Sequence, residues 1–568
     1  MSQPSYSEVV ARLTGPGAPF ELAVETVHGR PARCFKQRER SLREKVENAG
    51  KRGDAICMVH GERRISYGDF AQGVWGAARA LTREHGLVKG DRVAVLSYNC
   101  PDWLIALFGA VSAGGIGVGL NGWWATEEIQ YGLEDSGSRF LVVDERLYPR
   151  VEPLLGRIAS LEKVFYIGAS PPPGTLPVHE LLLPHDAPPT VPLAEDDPFV
   201  LLYTSGTTGR SKGCITTHRG TIAQVHGILF GNVAGAMLSG KPLLGTGSGP
   251  PVSLLSSPLF HVGGLHSGVC TQLTVGAKIV FLEGRFDPEQ AMRLIERERI
   301  TAWGAIPTML HRVVHHPKVR DYDLSSLRGI SFGGAPTPPE TIEKAREVLA
   351  IEPTFANAYG LTETHGVATV NGGADLIARK TSIGRPLPMV DLRIVDDDGK
   401  DLPDGELGEL LIAGPTITPG YWNRPDATAE AVRAGWLHTG DLAYRDADGF
   451  YYVVDRKKDM ILRGGENVYC TEIENCLADH PEIDEAAVVG VPDAELGERV
   501  KAIVRRQPGS TLDENAVRRH VAAHMASFKV PEIVAFTDDP LPRNAAGKLL
   551  KNALRGKGGV PFDTKNLG

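Results

Sequence analysis

The sequence predicts an α/β fold, and three observations carry that expectation. From Ser66 onward, short apolar runs of strand length alternate with helical patterns, the signature of helices covering a largely parallel sheet. From Leu392 the apolar runs shorten to hairpin spacing. After Asp455 the charge balance changes, which suggests a domain boundary there.

The elements follow in order. Residues 1–50 form a mixed lead-in without strong periodicity. Ser66 with Asp69 three residues on reads as a capping box, and Phe70, Val74, Ala77, Ala78 and Leu81 follow at helical spacing. Residues 93–96 read as a strand, and Pro101 opens the next helix at a position where its missing N–H costs nothing. Residues 116–120 read as a strand, Thr126 starts a helix, and residues 140–143 form another strand. The proline-rich stretch 170–198 reads as a surface connection. Residues 392–395, 408–413 and 451–454 are hairpin material, with turn signals at Asp398-Gly399 and Asp448-Gly449. Residues 1–455 carry all of the net charge of −8, whereas 456–568 hold 17 basic and 17 acidic side chains. The end of the chain has a basic run of Arg543, Lys548, Lys551, Arg555 and Lys557. No internal repeat is visible.

The 568 residues are 42% hydrophobic and 23% charged, a globular composition that excludes wholesale disorder. The 65 glycines and 40 prolines exceed the usual share without a Gly-X-Y period, which suggests tight turns and loops close to a ligand. The acidic balance argues against a nucleic-acid partner. Seven scattered cysteines show no CxxC or zinc spacing, so reduced thiols in a cytoplasmic protein are the expectation. The N-terminal residues lack a signal-peptide pattern, and the last residues are neither a prenylation nor a peroxisomal signal. Residues 103–126 and 221–240 are uncharged and long enough for a membrane helix, but both read as buried elements of the α/β core.

The strongest local feature is the stretch Tyr203-Thr204-Ser205-Gly206-Thr207-Thr208-Gly209-Arg210-Ser211-Lys212-Gly213. Its glycines let successive N–H groups point into one concavity, its hydroxyls add donors, and its cations offset phosphate charge. It is not a Walker A loop. Three other patterns are decoys. Gly117 to Gly122 fits GxGxxG with Asp144 beyond it, but no helix starts before Thr126. Gly329 to Gly333 fits GxSxG, but Ser331 sits inside a strand and prolines delay the helix an elbow needs. His311 and His315 are four apart on a helix with no third ligand in sight.

With the segments that follow it, the phosphate loop resembles the acyl-adenylate-forming superfamily, in particular the AMP-dependent acyl-CoA synthetases. Those segments are Ser257 to Gly264, Gly333 to Pro336, Asn357 to Thr364, Gly435 to Asp441, Asp455 to Asp459 and Leu541 to Lys548, in the family's order. The resemblance implies a large N-terminal domain (1–455) of β-sheets flanked by helices, with a small β-barrel-like subdomain. A small mobile α+β C-terminal domain (456–568) would follow, hinged at Asp455. It implies ATP-dependent activation of a carboxylic acid, then transfer to coenzyme A. An adenylating enzyme that loads an acyl-carrier protein is the alternative.

The resemblance also assigns roles. Thr204, Ser205, Gly206, Thr207, Thr208, Gly209 and Lys212 would hold phosphates, with Thr204 and Glu363 as Mg²⁺ ligands. Gly333, Gly334, Ala335, Asn357, Ala358, Tyr359 and Gly360 would surround adenine. Thr362 would touch the α-phosphate, Asp441 the ribose, and Arg456 the ribose or phosphate. Lys548 would bridge the incoming carboxylate and the α-phosphate, and His261 is a further candidate catalytic residue. Gly464, Gly465 and Glu466 would enter for thioester formation. His261, Gly263, Gly264, Ser267 and Val367 would line the acid pocket. The small glycines and the lack of a cation there suggest a medium-chain, long-chain or bulky aliphatic acid. The oligomeric state stays open, with a homodimer as one option.

Overall fold

The computed structural model describes residues 4–204, 210–240, 249–334, 339–349, 354–463, 466–493, 496–544 and 547–555. Two large sheets organise the first part of the chain. One has seven strands, in the spatial order Gly213–Thr217, Pro198–Tyr203, Ile116–Gly119, Arg92–Leu96, Phe140–Asp144, Lys163–Ile167 and Leu176–Pro177. It is parallel except where Gly213–Thr217 pairs antiparallel with Pro198–Tyr203. The other has nine strands, parallel from Thr354–Leu361 to Ile56–His60 and antiparallel at both ends.

The strand pleat explains the layering. Val93 and Val95 pack in one cluster with helices Tyr67–Arg83 and Pro101–Ser112, and with Ile279 and Phe281 of the nine-stranded sheet. Ala94 and Leu96, on the opposite face of the same strand, pack with Ile129 and Leu133 of helix Thr126–Ser136. Strand Arg92–Leu96 therefore buries both faces, and its apolar run is continuous. Ser66 accepts from the Asp69 N–H at 3.0 Å and Asp69 answers the Ser66 N–H, completing the predicted capping box.

Both membrane-like runs lie inside the fold, although one has a second use. Pro101–Ser112 is buried along its whole length apart from Asp102. Helix His218–Ser239 is the one described helix long and apolar enough to cross a membrane. Its first half is core, and its second half is mostly half-buried, facing a cavity. The first fifty residues are more ordered than their periodicity suggests. Helix Tyr6–Thr14 starts at a Ser5–Glu8 capping box and packs Val9 and Leu13 with Phe230 and Ala234 of the long helix.

Two five-stranded sheets complete the chain. The first is antiparallel and includes Asp391–Val395, Gly408–Ala413, Trp436–Arg445 and Tyr451–Arg456. The second, after Asp455, joins strands Ile461–Arg463, Glu466–Val468, Ile483–Asp493, Gly497–Arg506 and Ile533–Thr537 under helices Cys470–Ala478 and Glu514–His524. Two decoys resolve as structure. Asp144 accepts from the N–H groups of Tyr98 and Leu147, tying a strand end to its loop, and Ser331 lies in strand Gly329–Gly333.

Candidate active site

A cavity of about 1880 Å³ opens where the two large sheets, the long helix and the C-terminal segment meet. It is roughly twice the upper end of an ordinary single-ligand pocket. Thr204, Lys212, Gly333, Gly334, Ala358, Tyr359, Gly360, Thr362, Glu363 and Arg456 line it, as do His261, Gly263, Gly264, Ser267, Val367 and Lys548. Residues more than 340 positions apart in sequence thus share one chamber. Ser205, Gly206, Thr207, Thr208, Gly209, Ala335, Gly464 and Gly465 lie outside the described residues.

Strand Thr354–Leu361 carries the aromatic wall and ends at the turn Thr362–Thr364. The Tyr359 hydroxyl donates to Asp441 at 2.5 Å, and Arg456 Nε lies 3.2 Å from the other Asp441 oxygen. Burial and the facing carboxylate hold the Tyr359 phenol well above its ordinary value, so it stays a donor. Burial works against the Arg456 charge, but Asp441, Tyr359, Asp459 and Glu363 together more than offset it and raise its pKa. Asp441 is 3% exposed and stands behind Tyr359.

Glu363 is placed by a strained bend. His365 has φ +56°, a left-handed conformation uncommon outside glycine. Hydrogen bonds on both sides of its ring enforce that bend. Its Nε2 accepts from the Thr217 N–H at 2.7 Å, and its Nδ1 donates to Thr416 O at 2.6 Å. Burial lowers the His365 pKa to about 3, so the ring is neutral and keeps this donor–acceptor pattern. Tyr421 then donates to the Glu363 carboxylate at 2.6 Å, and Lys212 Nζ sits 5.0 Å above the Tyr421 ring. A hydroxyl at Thr204 and a carboxylate at Glu363 are hard oxygen donors on one wall.

Lys548 reaches the chamber from a tight turn. Asn544 N donates to Lys548 O, Lys548 N donates to the Asn544 side chain, and Arg543 donates to Gly547 O, all at 2.9 Å. Gly547 has φ +76°, and a Cβ there would lie 2.5 Å from Ile306 Cγ2, so only glycine fits against the larger part of the protein. Burial lowers the Lys548 pKa, with Arg456 and Lys458 adding to the effect, while Asp441 and Glu363 oppose it. The ammonium thus feels the charges of two carboxylates and two cations. Burial, helped by Lys548, lowers the His261 pKa to about 4. His261 Nε2 is buried without a hydrogen-bond partner.

The two acid-pocket glycines differ. A Cβ at Gly264 would lie 2.1 Å from Pro258 O, so that glycine serves backbone packing. A Cβ at Gly263 would meet nothing within 4 Å and would project into open space. Three expected residues are not on the chamber wall, the first being Asp441 behind Tyr359. Asn357 is not on its wall and sends its amide toward Ser382 O at 3.4 Å. Its neighbours Ala356 and Ala358 are on that wall. Glu466 is exposed on the C-terminal sheet, away from the cavity wall.

The structure adds residues that the sequence does not single out. Tyr421 and His365 position Glu363, and Ile228, Asn232 and Val233 of the long helix form the distal wall with Phe20. The Gly420-Tyr421-Trp422 cluster, aromatic residues after a glycine, was a signal available for the first of these.

Residues 46–422 match the family model described as AMP-binding enzyme, and residues 472–548 match the AMP-binding enzyme C-terminal domain. A feruloyl-CoA synthase from Amycolatopsis sp is 36% identical over 511 residues, covering 90% of this chain and 97% of the relative. A fatty acid–[acyl-carrier-protein] ligase from Streptomyces coeruleorubidus is 35% identical over 488 residues, covering 83% and 87%. The crystal structure of an anthranilate CoA ligase with anthranoyl-AMP superposes with a TM-score of 0.81 at 26% identity, covering 91% of this chain and 96% of that one.

Proposed function

The chain belongs to the AMP-binding enzyme family, and on that premise we propose that it converts a carboxylic acid to its coenzyme A thioester in two half-reactions. In the first, the substrate carboxylate attacks the α-phosphorus of ATP, and the bond to the β-phosphate oxygen breaks to release pyrophosphate. In the second, the thiol of coenzyme A loses its proton to solvent and attacks the acyl carbon, and AMP leaves.

The observation that carries the reading is Lys548 in one chamber with Thr204, Thr362, Glu363, Tyr359 and Arg456. Bringing a carboxylate to a triphosphate sets anion against polyanion. Preorganised cations in a water-poor cavity offset that repulsion more effectively than in bulk water. In this reading Lys548 bridges the carboxylate and the α-phosphate. Tyr359 supplies a flat face for adenine, Asp441 accepts from the ribose, and Arg456 and Lys212 neutralise phosphate charge. Thr204 and Glu363 would hold Mg²⁺, which when bound screens the phosphate oxygens.

The second half-reaction needs room where Lys548 now stands. We place the pivot at Asp455, between a large domain of residues 1–455 and a lid of residues 456–568. Rotation about it would withdraw Lys548 and bring in Glu466 with Gly464 and Gly465. For the acid, the volume left beyond a nucleotide and the walls of Phe20, Ile228 and Val233 favour a medium-chain, long-chain or bulky aliphatic substrate. A second reading, an aryl acid, is favoured by the feruloyl-CoA synthase relative.

Lys548→Ala tests the assignment. Acid-dependent ATP–pyrophosphate exchange is expected to vanish, while thioester formation from presynthesised acyl-AMP persists. Retained exchange would remove Lys548 from the chemistry. An acid panel read by AMP release, with free coenzyme A and a phosphopantetheinylated carrier protein compared as acceptors, identifies the substrate and separates ligase from carrier-loading enzyme.

A further inference from the structure

Far along the chain from the catalytic motifs that precede Asp455, the C-terminal domain gathers the side chains of a metal site. Cys476 lies on helix Cys470–Ala478, and His520 and His524 lie four residues apart on helix Glu514–His524. One ligand atom from each of the three falls within 4.8 Å of the others. No linear pattern announces this cluster, because the histidines are 44 and 48 residues from the cysteine and meet it only when the two helices pack.

Three features suit the cluster to a metal. First, Cys476 alone among the seven free cysteines is not buried, so an ion can reach its sulfur from solvent. Second, the histidine tautomers are already set. His520 Nε2 donates to Cys476 O at 2.8 Å, which leaves Nδ1 with its lone pair, and His524 Nδ1 donates to His520 O at 2.8 Å, which leaves Nε2 with its own. A ligating histidine normally donates its other ring N–H to just such a carbonyl. Third, the spacing is close to the requirement. Tetrahedral zinc with sulfur at ~2.3 Å and nitrogen at ~2.0–2.1 Å separates its ligand atoms by about 3.3–3.6 Å, a closure of roughly an ångström. The His520 and His524 ring centroids lie 4.8 Å apart. His480 packs edge-on to His520 at 4.8 Å, but its Nδ1 accepts from the Glu482 N–H, so it borders the site rather than entering it.

We propose that Cys476, His520 and His524 bind a divalent transition metal with one thiolate and two imidazoles, zinc being the natural occupant, and water in the fourth position. One sulfur and two nitrogens suit zinc and cobalt and disfavour magnesium and calcium. On binding, the Cys476 thiol proton leaves to solvent as the sulfur–metal bond forms. The ion would join the two helices that cover one face of the C-terminal sheet.

The test is titration of the full chain with Zn²⁺, and with Co²⁺ as a spectroscopic probe, in wild type, Cys476→Ser and His524→Ala. One ion per chain is expected, with sulfur-to-cobalt charge-transfer absorption in wild type that Cys476→Ser abolishes. His524→Ala, at an exposed position, should weaken Zn²⁺ binding ~100-fold or more, the upper end of what even second-shell losses produce. Unchanged circular dichroism and ATP–pyrophosphate exchange in both variants would show that the fold is intact. Absence of stoichiometric binding, or binding and spectra indifferent to both substitutions, would overturn the proposal.

Discussion

Asp455 is buried at 5% exposure, and its carboxylate is held by a single short contact, the Arg456 N–H donating at 2.8 Å. The Thr471 N–H is farther, at 3.5 Å. Lys551 lies close enough to lower the pKa but is itself paired with Glu474 at 2.8 Å. Burial therefore prevails and raises the Asp455 pKa from 3.8 to about 6. In the unfolded chain the carboxyl ionises near 3.8, so between these values the folded state holds more protons, and stability falls as pH rises through the window. The shift amounts to about 3 kcal/mol of destabilisation, almost all of it present at pH 7. Asp455→Asn keeps an acceptor for the Arg456 N–H and removes the buried charge. It should stabilise the C-terminal part of the protein by about 3 kcal/mol at pH 7, falling to roughly half that at pH 5. Native-state hydrogen exchange of helix Cys470–Ala478, followed across pH 5–8, reads this locally. A gain independent of pH, or a loss of protection at pH 7, would refute the reasoning.

Four further outcomes follow from the cavity. Gly263→Leu should leave folding intact while shifting the acid preference toward smaller substrates, read as kcat/KM across a chain-length series. Gly264→Ala should instead lower the thermal midpoint markedly, because its Cβ meets Pro258 O. Tyr359→Phe removes a hydrogen bond to a charged acceptor, worth ~1.5–3 kcal/mol, so the KM for ATP in pyrophosphate exchange should rise about tenfold or more. Tyr421→Phe should free the Glu363 carboxylate and alter the Mg²⁺ dependence of adenylation, with ATP affinity at saturating Mg²⁺ little changed.

Local rules made much of the fold legible. Ser66 and Asp69 announce their own helix, Pro101 starts its helix where predicted, and the alternation of strand and helix anticipates the parallel sheets. The phosphate-loop and lysine segments are contiguous in sequence and could be read as such. What escaped depends on contacts across the chain. Tyr421 is 58 residues from Glu363, and nothing near either predicts their meeting. Gly263 and Gly264 are identical in sequence, and only the path of the backbone at Pro258 separates a pocket wall from a packing contact. The uncharged 221–240 run reads from composition as a buried element, because composition cannot divide a helix between core and cavity. The lead-in to residue 50 showed no strong period because it contributes several short elements to a surface completed by other segments.

Helix His218–Ser239 has a consequence for the rhythm of turnover. Its second half bears membrane-like side chains yet faces a hollow that the described residues leave open. In the proposed reaction the acyl chain completes that packing, and the thioester's departure strips it away. Each cycle then ends with water wetting an apolar wall again, an unfavourable step whose size grows with every methylene of the acyl chain. Among homologous acids, the longest should bind best and leave last.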